Sequence, residues 1–389
     1  MRILVAPDSF KGSLSGVQVA EALGKGLKRA LPGATVVPCP VADGGEGTAE
    51  VLVLNTGGRM VQRTVMGPLG EPVEARFAVL GDGETAVVEI AAASGLPLVP
   101  PARRDPLVTT SYGTGQLIMA AIEEGCQRVV VALGGSATVD GGLGMLEALG
   151  FRFLDASGRA VPRGGRGLAL VESALRPVHL PPVEFVGACD VDNPLVGPQG
   201  AARVYGPQKG ATPEVVEELD RGLAHLAAVW KREWGVDVAE LPGAGAAGGA
   251  GAALAAALRA PLISGAHLVL EYSGLQRRLE KADLVITGEG RMDFQTQRGK
   301  APAAVAAAAR RAGVPVVAVC GSIAASPEQL EETGIAVALG ITEGPTTLEE
   351  SMARAAELLE RAGERLARLL QLGSTLAHCL RAPGTGGGF

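Results

Sequence analysis

"ADLVITGEG", residues 282–290, decides how this chain is organised. The apolar run Leu284 to Thr287 stops abruptly at a glycine and an acid, which reads as a buried strand opening into a loop. The start of the chain has the same form. "RILVAPD", residues 2–8, is an apolar strand ending in Pro7 and Asp8. A helix follows it, signalled by Ser15 and Gln18 at capping-box spacing, and then a second strand, "TVVPCP". From about Leu270 onward helices and strands alternate through "APAAVAAAARRAG", "VPVVAVCG", "SPEQLEETG", "IAVALG" and one closing helix, "TLEESMARAAELLERAGERLARLL". Two early strands and three late ones predict a five-stranded parallel sheet wound with helices.

The middle of the chain has another texture. "RMVQRTVMGPLGEPVEARFAVLGDGETAVVEI" carries β-rich runs, the alternation Val73, Ala75, Phe77, Val79, and the hairpin signal "GDGE". A helix (Gly115 to Glu124), strands at Arg128 to Leu133 and "EFVGAC", and the long helix "PEVVEELDRGLAHLAAVWKREW" come after it. This predicts a mixed α/β domain at residues 59–269, inserted into a discontinuous domain made of residues 1–58 and 270–380. Residues 381–389, rich in glycine, are expected to be a disordered tail.

The 389 residues are 47% hydrophobic, more than one ordinary core accommodates, which agrees with two domains. The net charge of −6, 3% aromatic residues and absence of a basic stripe argue against nucleic-acid binding. The longest apolar run, "GAGAAGGAGAALAAALRAPLI", is broken by Arg259 and is no membrane span, and the first apolar run is too short for a leader. A cytoplasmic location is the expectation. Five scattered cysteines and four isolated histidines support no zinc site, disulfide framework or histidine triad. The motifs GxxxxGK[ST], GxSxG, HRD and DFG are all missing.

Two kinds of glycine loop remain. "PVADGGEGT" and "TGEGRMD" carry acids: Asp43 and Glu46 in the first, Glu289 and Asp293 in the second. With Asp8 and Ser9 they follow strands, and ligands of wound sheets bind beyond the carboxyl ends of strands. Carboxylates among glycines suit a hard cation or a hydroxyl. "LGGSATVDGGLG" is neutral and stands between a strand and a helix. Its Gly134, Gly135, Ser136 and Thr138 offer N–H groups and hydroxyls to phosphate. "GAGAAG", with Gly245 and Gly248, matches a dinucleotide fingerprint but lacks the preceding strand, so close packing competes with phosphate binding there. Asp190 and Asp192 follow the "EFVGAC" strand, while Lys11 and Lys209 sit beside loop glycines. Acids for a base or a metal, with lysines for oxyanions, are the parts of phosphoryl transfer.

Taken together, "APDSFKGSLS", "ADGGEGT", "GGSATVDGG", "ACDVDNPL", "GPQKGA", "GAGAAGG" and "TGEGRMDFQTQRGKAP" resemble the bacterial type I glycerate kinase family, from Met1 to about Leu370. The resemblance implies a flavodoxin-like domain interrupted by a second α/β domain. Because the motifs are divided between the two, closure of the domains over the substrates is expected. It also implies ATP- and Mg²⁺-dependent phosphorylation of D-glycerate, usually at the 2-hydroxyl, with the 3-hydroxyl as the alternative. A homodimer is a possible assembly.

Residue roles are assigned by chemistry. Asp190 is the candidate base, because an apolar strand leads into it and partial burial raises a carboxyl pKa. Lys11 and Lys209 neutralise anionic groups. Asp8, Ser9, Asp43, Glu46 and Arg291 are assigned to glycerate. Gly134, Gly135, Ser136, Thr138, Gly245 and Gly248 are assigned to the nucleotide, and Asp192, Glu289 and Asp293 to the metal. The competing readings are an NAD-dependent hydroxy-acid dehydrogenase and a sensor that binds without turnover.

Overall fold

The computed structural model describes residues 1–292 and 301–381. Its contacts divide the chain into two compact units, Met1–Val41 with Ser273 onward, and Ala42–Tyr272. Strands are numbered in chain order.

The first unit holds β1 (Arg2–Val5) and β2 (Thr35–Pro38) from the start of the chain, and β11 (Leu284–Thr287), β13 (Val316–Cys320) and β15 (Val337–Gly340) from its end. All pair in parallel, in the order β2-β1-β11-β13-β15. Counted along the chain this is 2-1-3-4-5, the flavodoxin-like winding. The three central strands are short, Val- and Ile-rich and buried on both faces, as helix-covered parallel strands must be. Pro38 lies in the edge strand β2, where a missing N–H costs no ladder bond. The helix Gly16–Ala30 begins at the expected Ser15–Gln18 capping box. It packs on the helix Ala355–Arg381 at Gly26, where a Cβ would lie 1.8 Å from the Glu360 carbonyl oxygen. The closing helix read as one from sequence is two, Leu348–Ala353 and Ala355–Arg381, interrupted at Arg354. A short parallel pair, β12 (Arg291–Met292) with β14 (Ser322–Ile323), completes the unit.

The second unit holds β3 (Arg59–Met66), β4 (Pro72–Val79), β5 (Thr85–Glu89), β6 (Arg128–Ala132), β9 (Glu184–Ala188) and β10 (Leu262–Ile263). They form one mixed sheet in the order β10-β9-β6-β5-β4-β3. β3, β4 and β5 are antiparallel; β5, β6, β9 and β10 run parallel. The Asp82 carboxylate holds the hairpin into β5 by accepting from the Glu84 and Thr85 amides at 3.0 and 2.9 Å. A small antiparallel pair, β7 (Arg152–Leu154) with β8 (Ser173–Leu175), lies outside this sheet. Phe77, Val88, Val131, Met145, Phe151 and Trp230 are fully buried in its core.

The domain boundary differs from the sequence expectation. It falls after Val41 and not at residue 58. The helix Thr48–Thr56 packs on β4 and β5. Its end is fixed there by close approach, since a Cβ on Gly81 would lie 1.9 Å from the Thr56 carbonyl oxygen. The acidic loop of Asp43 and Glu46 therefore belongs to the second unit.

Candidate active site

In the first unit the winding direction reverses between β1 and β11, and ligands of such sheets bind beyond the strand ends at that point. Asp8 and Ser9 continue from β1, and Gly288 and Glu289 from β11. The Asp8 amide donates to the Gly288 carbonyl at 2.8 Å, which carries the pairing one step beyond the strands. The Ser9 amide donates to Asp8 Oδ1 at 2.6 Å. Only glycine fits at 288, where a Cβ would meet the Val319 carbonyl oxygen at 1.9 Å. Glu289 is buried. Next to its backbone the Cys320 thiol is pushed up to about 12, mainly by burial, which leaves it unreactive. Lys11 is exposed in a turn with Gly12 at φ +77°. Gly290 lies beside that turn, its Cβ direction reaching the Lys11 nitrogen at 3.5 Å. Arg291 is exposed on β12. Asp293 lies outside the described residues.

The second unit gathers more of the expected residues. β5, β6, β9 and β10 all end at one edge, in Glu89, Gly134, Asp190 and Ser264. The acidic loop crosses this edge. A Cβ on Gly44 would lie 2.7 Å from Gly265 Cα, and one on Gly134 would lie 2.6 Å from Gly45 Cα, so three glycine segments touch backbone to backbone. Asp43 Oδ1 accepts from the Gly45 amide at 3.0 Å and leaves the carboxylate exposed. Glu89 fixes the far side of the loop. The helix Thr48–Thr56 has no side-chain cap of its own, and Glu89 Oε1 accepts from the Ala49 amide at 2.7 Å. Burial raises the Glu89 pKa.

Asp190 stands where β9 ends. Its carboxylate accepts from Ser264 Oγ at 2.7 Å and from the Ala266 amide at 3.2 Å. Enclosure of the carboxyl raises its pKa and the nearby Asp43 charge adds to that, while the Ser264 hydroxyl pulls it down. Asp192 is exposed, and among the described residues no hydrogen bond or ion pair engages it. The Asn193 amide is occupied, accepting from the Tyr205 hydroxyl at 2.6 Å and donating to the Gln199 carbonyl at 2.8 Å.

The loop from Gly134 to Gly144, whose one acid is Asp140, is fastened from behind. Lys209 is 3% exposed, and its ammonium donates to Ser136 Oγ at 2.8 Å and to the Thr138 carbonyl at 2.7 Å. Burial pulls its pKa down to about 7, against the opposing pull of the Asp140 charge. Thr138 Oγ1 is buried without a partner among the described residues. Gly245 and Gly248 are buried and act as braces. A Cβ at Gly245 would lie 2.3 Å from the Pro194 carbonyl oxygen, and one at Gly248 would lie 2.0 Å from that of Thr138. Their turn is left-handed at Ala247, Gly248 and Gly249, a strained conformation for Ala247 at φ +52°. Close packing accounts for both glycines. It also holds the loops of Asp190 and Ser136, through the Gly245 amide to the Asn193 carbonyl and the Gly141 amide to the Gly248 carbonyl, both at 3.0 Å.

Sequence reasoning assigned no role to Glu89, Asp140 or Ser264. The first ends an apolar strand, the second lies inside a quoted motif, and the third is distant in sequence from the Asp190 it binds. Among the described residues no three His, Cys, Asp or Glu side chains cluster as a metal cage, and no helix is long and apolar enough to cross a membrane.

Comparison with known proteins yields one consistent match. The model of the glycerate kinase family matches residues 3–371. The chain is 47% identical over 379 residues to the glycerate kinase of Bacillus subtilis (strain 168), covering 97% of this chain and 99% of that one. It is 46% identical over 377 residues to the glycerate 2-kinase of Escherichia coli (strain K12), covering 96% and 99%. A crystal structure from Salmonella typhimurium LT2, assigned as a glycerate kinase 2, superposes with a TM-score of 0.86 at 45% identity, covering 96% of this chain and 99% of that chain.

Proposed function

The chain belongs to the glycerate kinase family, and we propose that it transfers the γ-phosphoryl group of ATP to the 2-hydroxyl of D-glycerate in the cytoplasm. That it is a glycerate kinase follows from the family; the donor, the hydroxyl and the residue roles are the proposal. The name of the E. coli relative supports the 2-hydroxyl.

One observation carries the reading of the second unit. Lys209 is a buried ammonium that neutral oxygens hold, and among the described residues no carboxylate forms an ion pair with it. A buried charge so placed is costly until an anion arrives, and it stands behind a glycine loop at a strand-end edge. That suits a nucleotide phosphate at Gly134, Gly135 and Ser136. Asp190, with its raised pKa, takes the proton of the glycerate hydroxyl as the oxygen attacks phosphorus. Asp43 and Glu46, exposed on the same edge, bind the substrate hydroxyls. In the first unit Lys11, Asp8, Ser9 and Arg291 are assigned to substrate groups.

The reaction also calls for Mg²⁺, which neutralises phosphate charge and draws it off the leaving oxygen. Such a cation takes one or two protein carboxylates and fills its other positions with water and phosphate, so the missing three-residue cage is no obstacle. In the second unit Asp192, an exposed carboxylate with no hydrogen bond or ion pair among the described residues, fits as a ligand; in the first unit the candidate is Glu289.

The test is ADP release with and without D-glycerate, in Mg²⁺ and in excess EDTA, with the product identified by ³¹P NMR. Turnover that persists in EDTA removes the metal, 3-phosphoglycerate removes the 2-hydroxyl, and ATP binding without turnover removes the catalytic reading.

A further inference from the structure

Asp140 closes the loop that Lys209 holds. It is fully buried, and both its oxygens are occupied. Oδ2 accepts from the Ser111 amide and from Ser111 Oγ, each at 2.8 Å, and from the Gly144 amide at 3.4 Å; Oδ1 accepts from the Gly142 amide at 3.1 Å. Every partner is a donor. The Ser111 hydroxyl is committed too, because its oxygen accepts from the Met145 amide at 2.9 Å and its hydrogen is left for Asp140. A protonated carboxyl in that place would have an O–H and no acceptor. The donor set is built for the ionised form, although burial outweighs these hydrogen bonds and raises the pKa.

A turn former at a loop end would be exposed and would bond its own neighbours. Asp140 bonds its neighbours Gly142 and Gly144, but it is fully buried and also reaches Ser111, which precedes the helix Tyr112–Glu123, and so ties the loop to a second element. The charged groups around Lys209 are few. Among the described residues Asp140 is the one that acts on the ammonium electrostatically, and Arg104, which donates to the Gln208 carbonyl at 3.4 Å, is the cation on the adjoining segment.

We propose that Asp140 is a positioning residue for phosphoryl transfer: it ties the turn from Asp140 to Gly144 to Ser111 and supplies the buried negative charge that favours the ammonium form of Lys209 until a phosphate anion takes over. The inference rests on the reading that Lys209 meets the nucleotide. Lys209, drawn down to about 7 by burial, titrates within the working pH range. Loss of the Asp140 charge lowers that pKa further, so the ammonium is lost at lower pH.

The experiment is the pH dependence of KM for ATP between about pH 6 and 9 in wild type, Asp140→Asn, Asp140→Glu and Lys209→Met. Wild type should show KM for ATP rising as pH passes through the Lys209 pKa. In Asp140→Asn the rise should begin about one pH unit lower, giving a KM for ATP roughly 10-fold higher near pH 7.5, with KM for glycerate within about twofold. Asp140→Glu keeps the charge and should keep the wild-type pH profile. An Asp140→Asn profile that superimposes on wild type overturns the proposal. An unchanged KM for ATP in Lys209→Met overturns instead the reading beneath it. Should Asp140→Asn unfold too readily for kinetics, urea unfolding of the two single variants and the double variant decides. The second substitution should cost less in the presence of the first, and additive losses overturn the proposal.

Discussion

The two units present the same device with opposite treatment of their loop lysines. Each ends parallel strands at an edge where glycine loops carry acids. In the second unit the charges behind the loop are sealed in: Lys209 is 3% exposed and Asp140 fully buried. In the first unit Lys11 is exposed in a turn, and at the switch point backbone pairing and close glycine packing at Gly288 do the fixing. A buried charge held by several partners has one geometry and a high cost if its partner is lost, whereas an exposed lysine pays rotamer entropy each time it binds. On the proposed reading, the loop of the second unit is set before a ligand arrives, whereas the Lys11 turn of the first unit is ordered by one.

The sharpest way to break this contrast is to ask which edge carries the proton transfer. Asp190→Asn keeps shape and removes the acceptor, and should lower kcat by on the order of 10²–10⁴ with little change in KM for ATP. Glu289→Gln in the first unit should lower kcat by only about 10-fold. The reverse ranking would move the base to the first unit.

Next in size is Gly134→Ala. The new methyl would press on the Gly45 backbone and displace the acidic loop, with no long side chain in the way to yield. A shift of that kind should cost about 10²-fold in kcat/KM for glycerate while the thermal midpoint changes little. Gly288→Ala in the first unit makes a comparable clash, against the Val319 carbonyl, but inside the strand pairing. It should cost about 2 kcal/mol of stability, read by urea unfolding. If Gly134→Ala unfolds the protein and Gly288→Ala leaves it intact, the two edges have been described the wrong way round.

Much of the first unit is legible in its residues. Short Val- and Ile-rich runs bounded by glycine and acids become buried parallel strands, and Ser15 with Gln18 caps the helix as their spacing predicts. The helix Thr48–Thr56 is harder to place. Its apolar residues have no preferred face, so periodicity cannot say which sheet it covers, and the packing on β4 and β5 decides that. The acids of the site divide in the same way. Asp43 and Asp190 follow visible strand ends. Glu89 reads as the last residue of a strand, and its purpose, capping a helix that begins 41 residues earlier, exists only once the chain has folded. Lys209 in "QKGA" looks like an exposed loop lysine, and nothing local in the sequence announces its burial.

The smallest predicted effect is the most direct measure of how the second unit is prepared. With the Lys209 pKa drawn down to about 7, a large share of this side chain is neutral at pH 8 in the free enzyme. A polyphosphate anion beside it favours the ammonium and raises that pKa. Binding of preformed MgATP at pH 8 should therefore take up a fraction of a proton, seen as a difference in calorimetric binding enthalpy between buffers of unequal ionisation enthalpy. The sign follows from the direction of the shift: the group gains a proton on binding only where the free enzyme has lost it. At about pH 5.5 the lysine is already charged in both states, and its share of the uptake should vanish. Lys209→Met should abolish the effect at pH 8, whereas Lys11→Met in the first unit should leave it in place. Uptake that survives in Lys209→Met would assign the proton to another group and leave Lys209 as a structural pin for the Ser136 loop.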